Sequence, residues 1–251
     1  MAFHQNWIGV FETLPKYLPM ARFWRSGNIA IATTGWPASV FNGVLLSECD
    51  GLTADLIEML SEPFSRTTLP YSFQFYSPTQ QADCEELFWR AGYGELIRDP
   101  LMDCIGPLES LPANPTIRIE PVLTDSDRAL YVQTVLEGFG MSGQNSQDVI
   151  GVMATMQEGY HVTAWLHQTL VGAGTVLFCG GVAGIYNVTT LPFARRQGVA
   201  VRIMEALHGH ALAQGYSGTS LASSVMGLPL YRRLGYQPAG YQIAYVPLNS
   251  E

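Results

Sequence analysis

Thirteen residues carry the clearest chemical signal in this chain: Val188-Thr189-Thr190-Leu191-Pro192-Phe193-Ala194-Arg195-Arg196-Gln197-Gly198-Val199-Ala200, followed at once by an apolar-periodic run from Val201 to Leu212. Gly198 and Ala200 have almost no side chain, so a turn at this point leaves backbone N–H groups facing outward. A helix that starts beside the turn adds the positive end of its dipole. The combination suits an anion held by backbone amides, a phosphate above all. Arg195, Arg196 and Arg202 make a basic island there, in a chain of formal net charge −8. That balance argues against a nucleic-acid partner, which requires basic surface at scale. A second stretch, Ser223-Ser224-Val225-Met226-Gly227-Leu228-Pro229-Leu230-Tyr231-Arg232-Arg233-Leu234-Gly235-Tyr236, lies downstream.

Together the two stretches resemble the GCN5-related N-acetyltransferase (GNAT) family. The Arg-x-x-Gly-x-Ala form of Arg195 to Ala200 is similar to that family's pyrophosphate-binding loop. Ser223 to Tyr236 is similar to its sequence of small polar strand end, short helix with a Leu-Tyr pair, and Gly-aromatic step. The resemblance implies acetyl-CoA, or another acyl-CoA, as co-substrate, no metal, and direct transfer of the acyl group to an amine without a covalent enzyme intermediate. Val188, Thr189 and Thr190 would align the pantetheine like an added strand and present an N–H to the thioester carbonyl. Arg195, Arg196, Gln197, Gly198, Val199 and Ala200 would hold the pyrophosphate, and the Tyr231 hydroxyl would return a proton to the leaving thiolate. Ser224 stands where many relatives carry an Asn that bonds the cofactor, a departure from the pattern. Many relatives also place a Glu on the strand before the loop, whereas Gly184-Ile185-Tyr186-Asn187-Val188 has no carboxylate. For the general base the alternatives are water relayed by Tyr186 or Asn187, or Glu137 or Glu158 reaching in from the helices.

Composition bounds the rest. Of 251 residues, 47% are hydrophobic and only 14% charged, the latter well below the roughly 25% of average soluble domains. A subunit interface such as a homodimer's, a groove for an apolar substrate, or uncharged polar cover would each account for that. Cys49, Cys84, Cys104 and Cys179 are irregularly spaced, without Cys-x-x-Cys, which reads as reduced thiols in a cytoplasmic protein, although spacing alone leaves a disulfide open. His208 and His210, two apart on a helix, point in different directions and make a poor metal pair. Met1 to Val10 lacks the basic start and sustained apolar core of a signal peptide. Leu170 to Val188 is almost free of charge, but its glycines, with Gly180-Gly181 as a hairpin turn, favour two buried strands over a membrane span.

The elements that must position these residues repeat once along the chain. Leu87-Phe88-Trp89-Arg90-Ala91-Gly92-Tyr93 echoes Leu230-Tyr231-Arg232-Arg233-Leu234-Gly235-Tyr236 at an offset of 143, and Phe41-Asn42-Gly43-Val44 echoes Tyr186-Asn187-Val188-Thr189 at an offset of 145. Where the second half has its loop, the first has the acidic Ser47 to Asp55, and Phe88 stands in place of Tyr231. The Pro-punctuated Pro107 to Pro115 marks a boundary. The expectation is an α/β (α+β) architecture, a mixed, centrally splayed β-sheet flanked by helices (the acyl-CoA N-acyltransferase fold), duplicated in tandem. Residues 1–112 form a degenerate half and 113–251 the catalytic, acyl-CoA-binding half. The expected function is transfer of acetyl to a primary amine of a small molecule or peptide, with no nucleic-acid or membrane partner. Two alternatives stand beside it: use of a longer acyl chain, lined by Gly172, Ala173 and Gly174, or a catalytically silent acyl-CoA-binding module.

Overall fold

In a computed structural model that describes residues 2–49, 51–79, 84–112 and 114–248, the strand-forming segments join one mixed 11-stranded sheet. Met1, Asp50 of the acidic loop, Ala113 at the expected boundary and the last three residues lie outside the described set. The first half runs α1 (Ala2–Thr13), β1 (Arg22–Ser26), β2 (Ile29–Thr33), β3 (Gly43–Leu46), α2 (Ala54–Ser65), β4 (Ser72–Ser77), α3 (Glu85–Arg90) and β5 (Tyr93–Ile105). The second runs β6 (Ile117–Pro121), α4 (Asp125–Phe139), α5 (Gln144–Met153), β7 (Gly159–Leu166), β8 (Thr169–Cys179), β9 (Val182–Thr190), α6 (Val199–Ala213), β10 (Gly218–Ala222), α7 (Leu228–Arg233) and β11 (Gln237–Pro247). Local chemistry sets several of these boundaries. Thr124 and Asp127 form a reciprocal capping box at the start of α4. Gly180 and Gly181 both take positive φ, as the two-residue turn between β8 and β9 requires.

The strand order, β1-β2-β3-β4-β11-β5-β10-β9-β8-β7-β6, has a consequence that local pattern does not reveal. The last strand, β11, lies between β4 and β5 of the first half, and β5 lies between β11 and β10 of the second. The two long strands run antiparallel, with Asp99 opposite Gln242. Those two residues are themselves 143 positions apart, the offset of the sequence echo, so the twofold relating the halves passes through this pair. Outward from it the pattern repeats: β3 with β4 and β9 with β10 are parallel, while β2 with β3 and β8 with β9 are antiparallel.

Helices cover both faces. On one, α1, α4 and α5 pack a core that includes Phe11, Leu14, Tyr131, Val135, Ile150 and Leu177. On the other, α6 and α7 cover Val176, Ile185, Leu221 and Tyr236, and α2 and α3 cover Phe73, Phe75, Ile243 and Tyr245. The small residues of β8 seat α6: a Cβ at Gly174 would lie 2.6 Å from Ile203 Cγ2, and one at Gly172 2.9 Å from Val199 Cγ1. Beside Gly172 and Gly174 the space expected for an apolar tunnel is thus filled by helix α6, and Ala173 faces the other side, in the core under α1, α4 and α5.

One expectation about the cysteines is corrected. Cys49 and Cys84 form a disulfide, their Cα atoms 6.1 Å apart, and Cys104 and Cys179 are free and buried. The pair joins the loop after β3 to the start of α3, a meeting that spacing along the chain does not disclose. His208 is packed against Thr219 Oγ1 (2.8 Å) and the Gly106 carbonyl (2.7 Å), and His210 stacks on Tyr160. Among the described residues there is no metal-binding cluster, and no helix is long and apolar enough to cross a membrane.

The shared centre generates a prediction. Residues 114–248 expressed alone leave β10 and β11 without β5 between them, exposing unpaired strand edges. We expect that fragment to be insoluble, and co-expression with residues 1–112 to restore a soluble complex. A folded, monomeric fragment by circular dichroism and gel filtration would contradict the shared-sheet account.

Candidate functional site

The site begins where the sheet opens. Strands β9 and β10 pair only at Gly184–Ser220 and Ile185–Leu221. Beyond Ile185, β9 continues to Thr190 with its β10-facing edge unpaired. Its pairing with β8 slips between Ala173 and Thr175, so that Asn187 and Val188 together face Gly174 and Asn187 takes a φ of 56°. Such a bulge bends the strand away from its neighbour. Val188 and Thr190 are half-buried and Thr189 is buried. Gly138 near the end of α4 lies against the Thr189 side chain, which ties the helix to this strand end.

After Thr190 the chain makes a 3-10 turn at Pro192–Ala194 and enters α6 through Arg195 to Gly198. Arg196 and Gly198 both take positive φ, 65° and 85°. A non-glycine residue there costs on the order of 1–3 kcal/mol, so the conformation of Arg196 is imposed by its surroundings. The result is a run of six consecutive amides, Arg196 to Val201, that donate to no acceptor among the described residues. Arg195 and Arg196 are exposed beside them, and Asn114 steadies the turn by donating to the Gln197 carbonyl (3.2 Å). An unfilled row of donors at a helix start, flanked by two cations, fits a pyrophosphate. In the first half the corresponding helix, α2, is closed by Thr53, whose hydroxyl accepts from the Leu56 amide, and Glu48 and Asp55 stand nearby.

Tyr231 sits on α7 behind the end of β10. Its ring is 9% exposed and packs edge-on against Tyr236, while its hydroxyl bonds to no described residue. A Cβ at Gly227 would lie 2.7 Å from the Tyr231 ring, 3.4 Å from its Cζ and 3.3 Å from Ser224 Oγ. Glycine therefore lets the phenol lie close to Ser224, which itself accepts from the Gly227 amide (3.1 Å). Burial pushes the Tyr231 phenol up to about 12, so it stays a neutral donor through the physiological range. The corresponding Phe88 of the first half is fully buried, stacked between Phe75 and Tyr245.

The residues considered for a general base fall elsewhere. Glu158 lies at the opposite end of the sheet, paired with Lys16 (2.8 Å) and accepting from the Tyr17 hydroxyl (2.7 Å). Desolvation opposes its charge, yet the Lys16 and Tyr17 contacts prevail and hold its carboxyl below the usual range. Tyr186 donates to Asn6 Oδ1 (2.6 Å), and burial raises its phenol well above the normal value. Asn187 donates to Tyr131 Oη (3.1 Å), at the head of a buried chain that continues to Thr175 and His161. Glu137 is exposed and borders a groove of about 1200 Å³ between α4, α5 and the first half's Met20 and Trp36. A carboxylate without any signal in the sequence, Asp99 of β5, stands instead beside the end of β10.

The buried phenols set an alkaline limit on stability. Burial pushes the Tyr231 and Tyr131 phenols both up to about 12, whereas an unfolded tyrosine titrates at about 10. Between those values the unfolded chain has lost protons that the folded one keeps, so stability falls as pH rises. Urea midpoints measured through that window should decline with pH, and less steeply in Tyr231→Phe. Equal slopes in the two proteins would show that Tyr231 titrates normally.

The family model described as the acetyltransferase (GNAT) family matches residues 135–236, from the last turns of α4 to the Gly-Tyr step after α7. Among solved structures, the fold is similar to a GCN5-related N-acetyltransferase from Kribbella flavida, at 13% identity and a TM-score of 0.73, over 98% of this chain and 95% of that one. It is also similar to one from Sphaerobacter thermophilus, at 14% identity and a TM-score of 0.64, over 98% and 93%. A functionally unknown conserved protein from Staphylococcus epidermidis ATCC 12228 aligns at 12% identity and a TM-score of 0.68, over 94% and 98%. At such identities the likeness is one of fold, and it extends over both halves. Among curated proteins none matches the sequence. Residues 135–236 thus carry a match to the acetyltransferase (GNAT) family, for which acyl-CoA is the implied co-substrate, and the fold around them is that of GCN5-related N-acetyltransferases.

Proposed function

We propose that the protein transfers an acyl group, acetyl in the first instance, from acyl-CoA to a primary amine of a small molecule or peptide by direct attack. The observation that carries this reading is the run of six amides from Arg196 to Val201 that have no acceptor among the described residues, at the start of the helix that follows the open edge of β9. Bound acyl-CoA supplies a thioester, an acyl group activated toward nitrogen. The amides and Arg195 and Arg196 hold its pyrophosphate, and the free edge of Val188 to Thr190 aligns the pantetheine. An amide of that edge polarises the thioester carbonyl. As the amine's electron pair forms the C–N bond and the C–S bond breaks, Tyr231 gives its proton to the departing sulfur. Ser224 bonds within its own turn, which makes it a support for Gly227 and Tyr231 more than a contact to the co-substrate.

Two features argue against the alternatives. The packing of α6 onto Gly172 and Gly174 fills the space beside those glycines that a long acyl chain would need. A silent binding module has no use for a phenol held by packing near the end of β10, with a hydroxyl that bonds to no described residue and reaches solvent. In the first half the start of α2 is capped by Thr53 and flanked by Glu48 and Asp55, and Phe88 replaces the phenol, so the reading assigns one acyl-CoA to each chain.

Tyr231→Phe keeps the packed ring and removes the donor. We expect CoA affinity within about threefold of the original protein and turnover lower by about 10 to 10⁴-fold. Titration calorimetry and steady-state kinetics with acetyl-CoA and a panel of primary amines check both. Unchanged turnover at every pH tested would show that the thiolate leaves without help from Tyr231.

A further inference from the structure

On β5 the side chains of Asp99, Leu101 and Asp103 alternate toward the face that carries α1. Asp99 opposes Gln242, and residues opposed in a ladder share a face. His4 of α1 donates to Gln242 Oε1 (2.8 Å), which identifies that face. The pairing of β5 with β10 ends at Leu101–Ala222, and one further bond runs from the Ser223 amide to the Pro100 carbonyl (2.8 Å). Asp99 is the next residue of β5. It therefore comes abreast of Ser224, the residue that borders the Tyr231 phenol on the other face, and no strand covers its open side.

Asp99 is half-buried, yet its carboxylate has no hydrogen bond and no ion pair to any described residue. Its oxygens still reach solvent, and an unpaired, half-buried carboxylate at an opening can receive a cation that arrives from outside. The nearest cationic side chain in sequence, Arg98, points to the opposite face, where it pairs with Glu85 and Glu95. The titratable groups that share Asp99's face on the elements packed there are Asp103 on the same strand, Tyr76 of β4, Tyr186 of β9 and His4 of α1. Burial lowers His4 to about 4, so it is uncharged at neutral pH. None of these neutralises Asp99.

We infer that Asp99, a residue of the first half, receives the acceptor's ammonium group at the opening of the sheet and takes one proton from it. This rests on the acyltransferase reading above. The transfer moves a proton from nitrogen to a carboxylate oxygen and leaves the electron pair on nitrogen, free to form the C–N bond. Of the two protons the nitrogen sheds on becoming an amide, the second makes good the one that Tyr231 gives to sulfur, and Asp99 releases its own to solvent. Tyr231 and Asp99 then act from opposite faces of the same strand end, as donor and acceptor. Burial also holds the Asp99 carboxyl above the ordinary range, closer to the working pH of a base. On this account the first half has lost its own site but supplies a catalytic residue to the second.

The test compares the full chain with its Asp99→Asn and Asp99→Glu variants. Calorimetry reads CoA affinity, thermal unfolding reads the fold, and the pH profile of kcat/KM is taken with acetyl-CoA and the panel amine turned over fastest. For Asp99→Asn we expect CoA affinity within about threefold, an unfolding temperature equal or higher, and kcat/KM lower by about 10² to 10⁴-fold with the acid limb of the profile flattened. Asp99→Glu should recover part of the activity and restore the limb. An Asn variant that keeps wild-type kcat/KM and an unshifted profile would overturn the assignment while leaving the acyltransferase reading intact. If the unmodified chain bound no CoA, the broader reading would fall and this one with it.

Discussion

The antiparallel pairing of β5 with β11 is the constraint on which everything else depends. Each strand ends its own half, and each is placed inside the other half's sheet, so neither half has a complete set of partners without its counterpart. Backbone donors and acceptors in a buried sheet must be paired, and here that requirement is met across the twofold. The exchange sets Asp99 beside Gln242 at the axis and brings first-half residues up to the end of β10. It also fixes where the sheet comes apart, because β10 is held to β5 on one side while the bulged β9 turns away on the other.

That parting makes two kinds of surface available in one place. The β9 edge and the start of α6 offer backbone donors, which suit a polyanionic carrier with an extended arm. Behind the end of β10, α7 brings a buried phenol, and the α1 face brings an unpaired carboxylate. An acidic protein, of net charge −8, can recognise an anion only locally. The amide row does so with dipoles fixed by the fold, and the two exposed arginines add charge at its rim.

Much of this was legible in the sequence where the determinants are local. The Arg195 to Ala200 loop, the capping residues Thr124 and Asp127, the Gly180-Gly181 turn and the short helix carrying Tyr231 each depend on neighbours a few positions away. The repeat was legible as well, because Leu87 to Tyr93 and Leu230 to Tyr236 kept residues that pack the same junction. What escaped depends on partners far along the chain. No periodicity in Gln237 to Pro247 says that it pairs with residues of the first half, and the Cys49–Cys84 bond follows only once β3 and α3 are placed. Glu158 attracted attention as a carboxylate near the second half's helices, but a lysine and a tyrosine from the first half had already engaged it. Asp99 was hidden in a strand of ordinary composition, and its position matters only after the register is known.

The central claim, that a single site in the second half holds acyl-CoA through the amides at the start of α6, is tested most directly by calorimetric titration of CoA into the full chain and into Gly198→Glu. One CoA should bind per chain and binding should be lost in the variant, since a carboxylate would replace the left-handed glycine beside the phosphates. Two equivalent sites per chain, or affinity unchanged by Gly198→Glu, would contradict it.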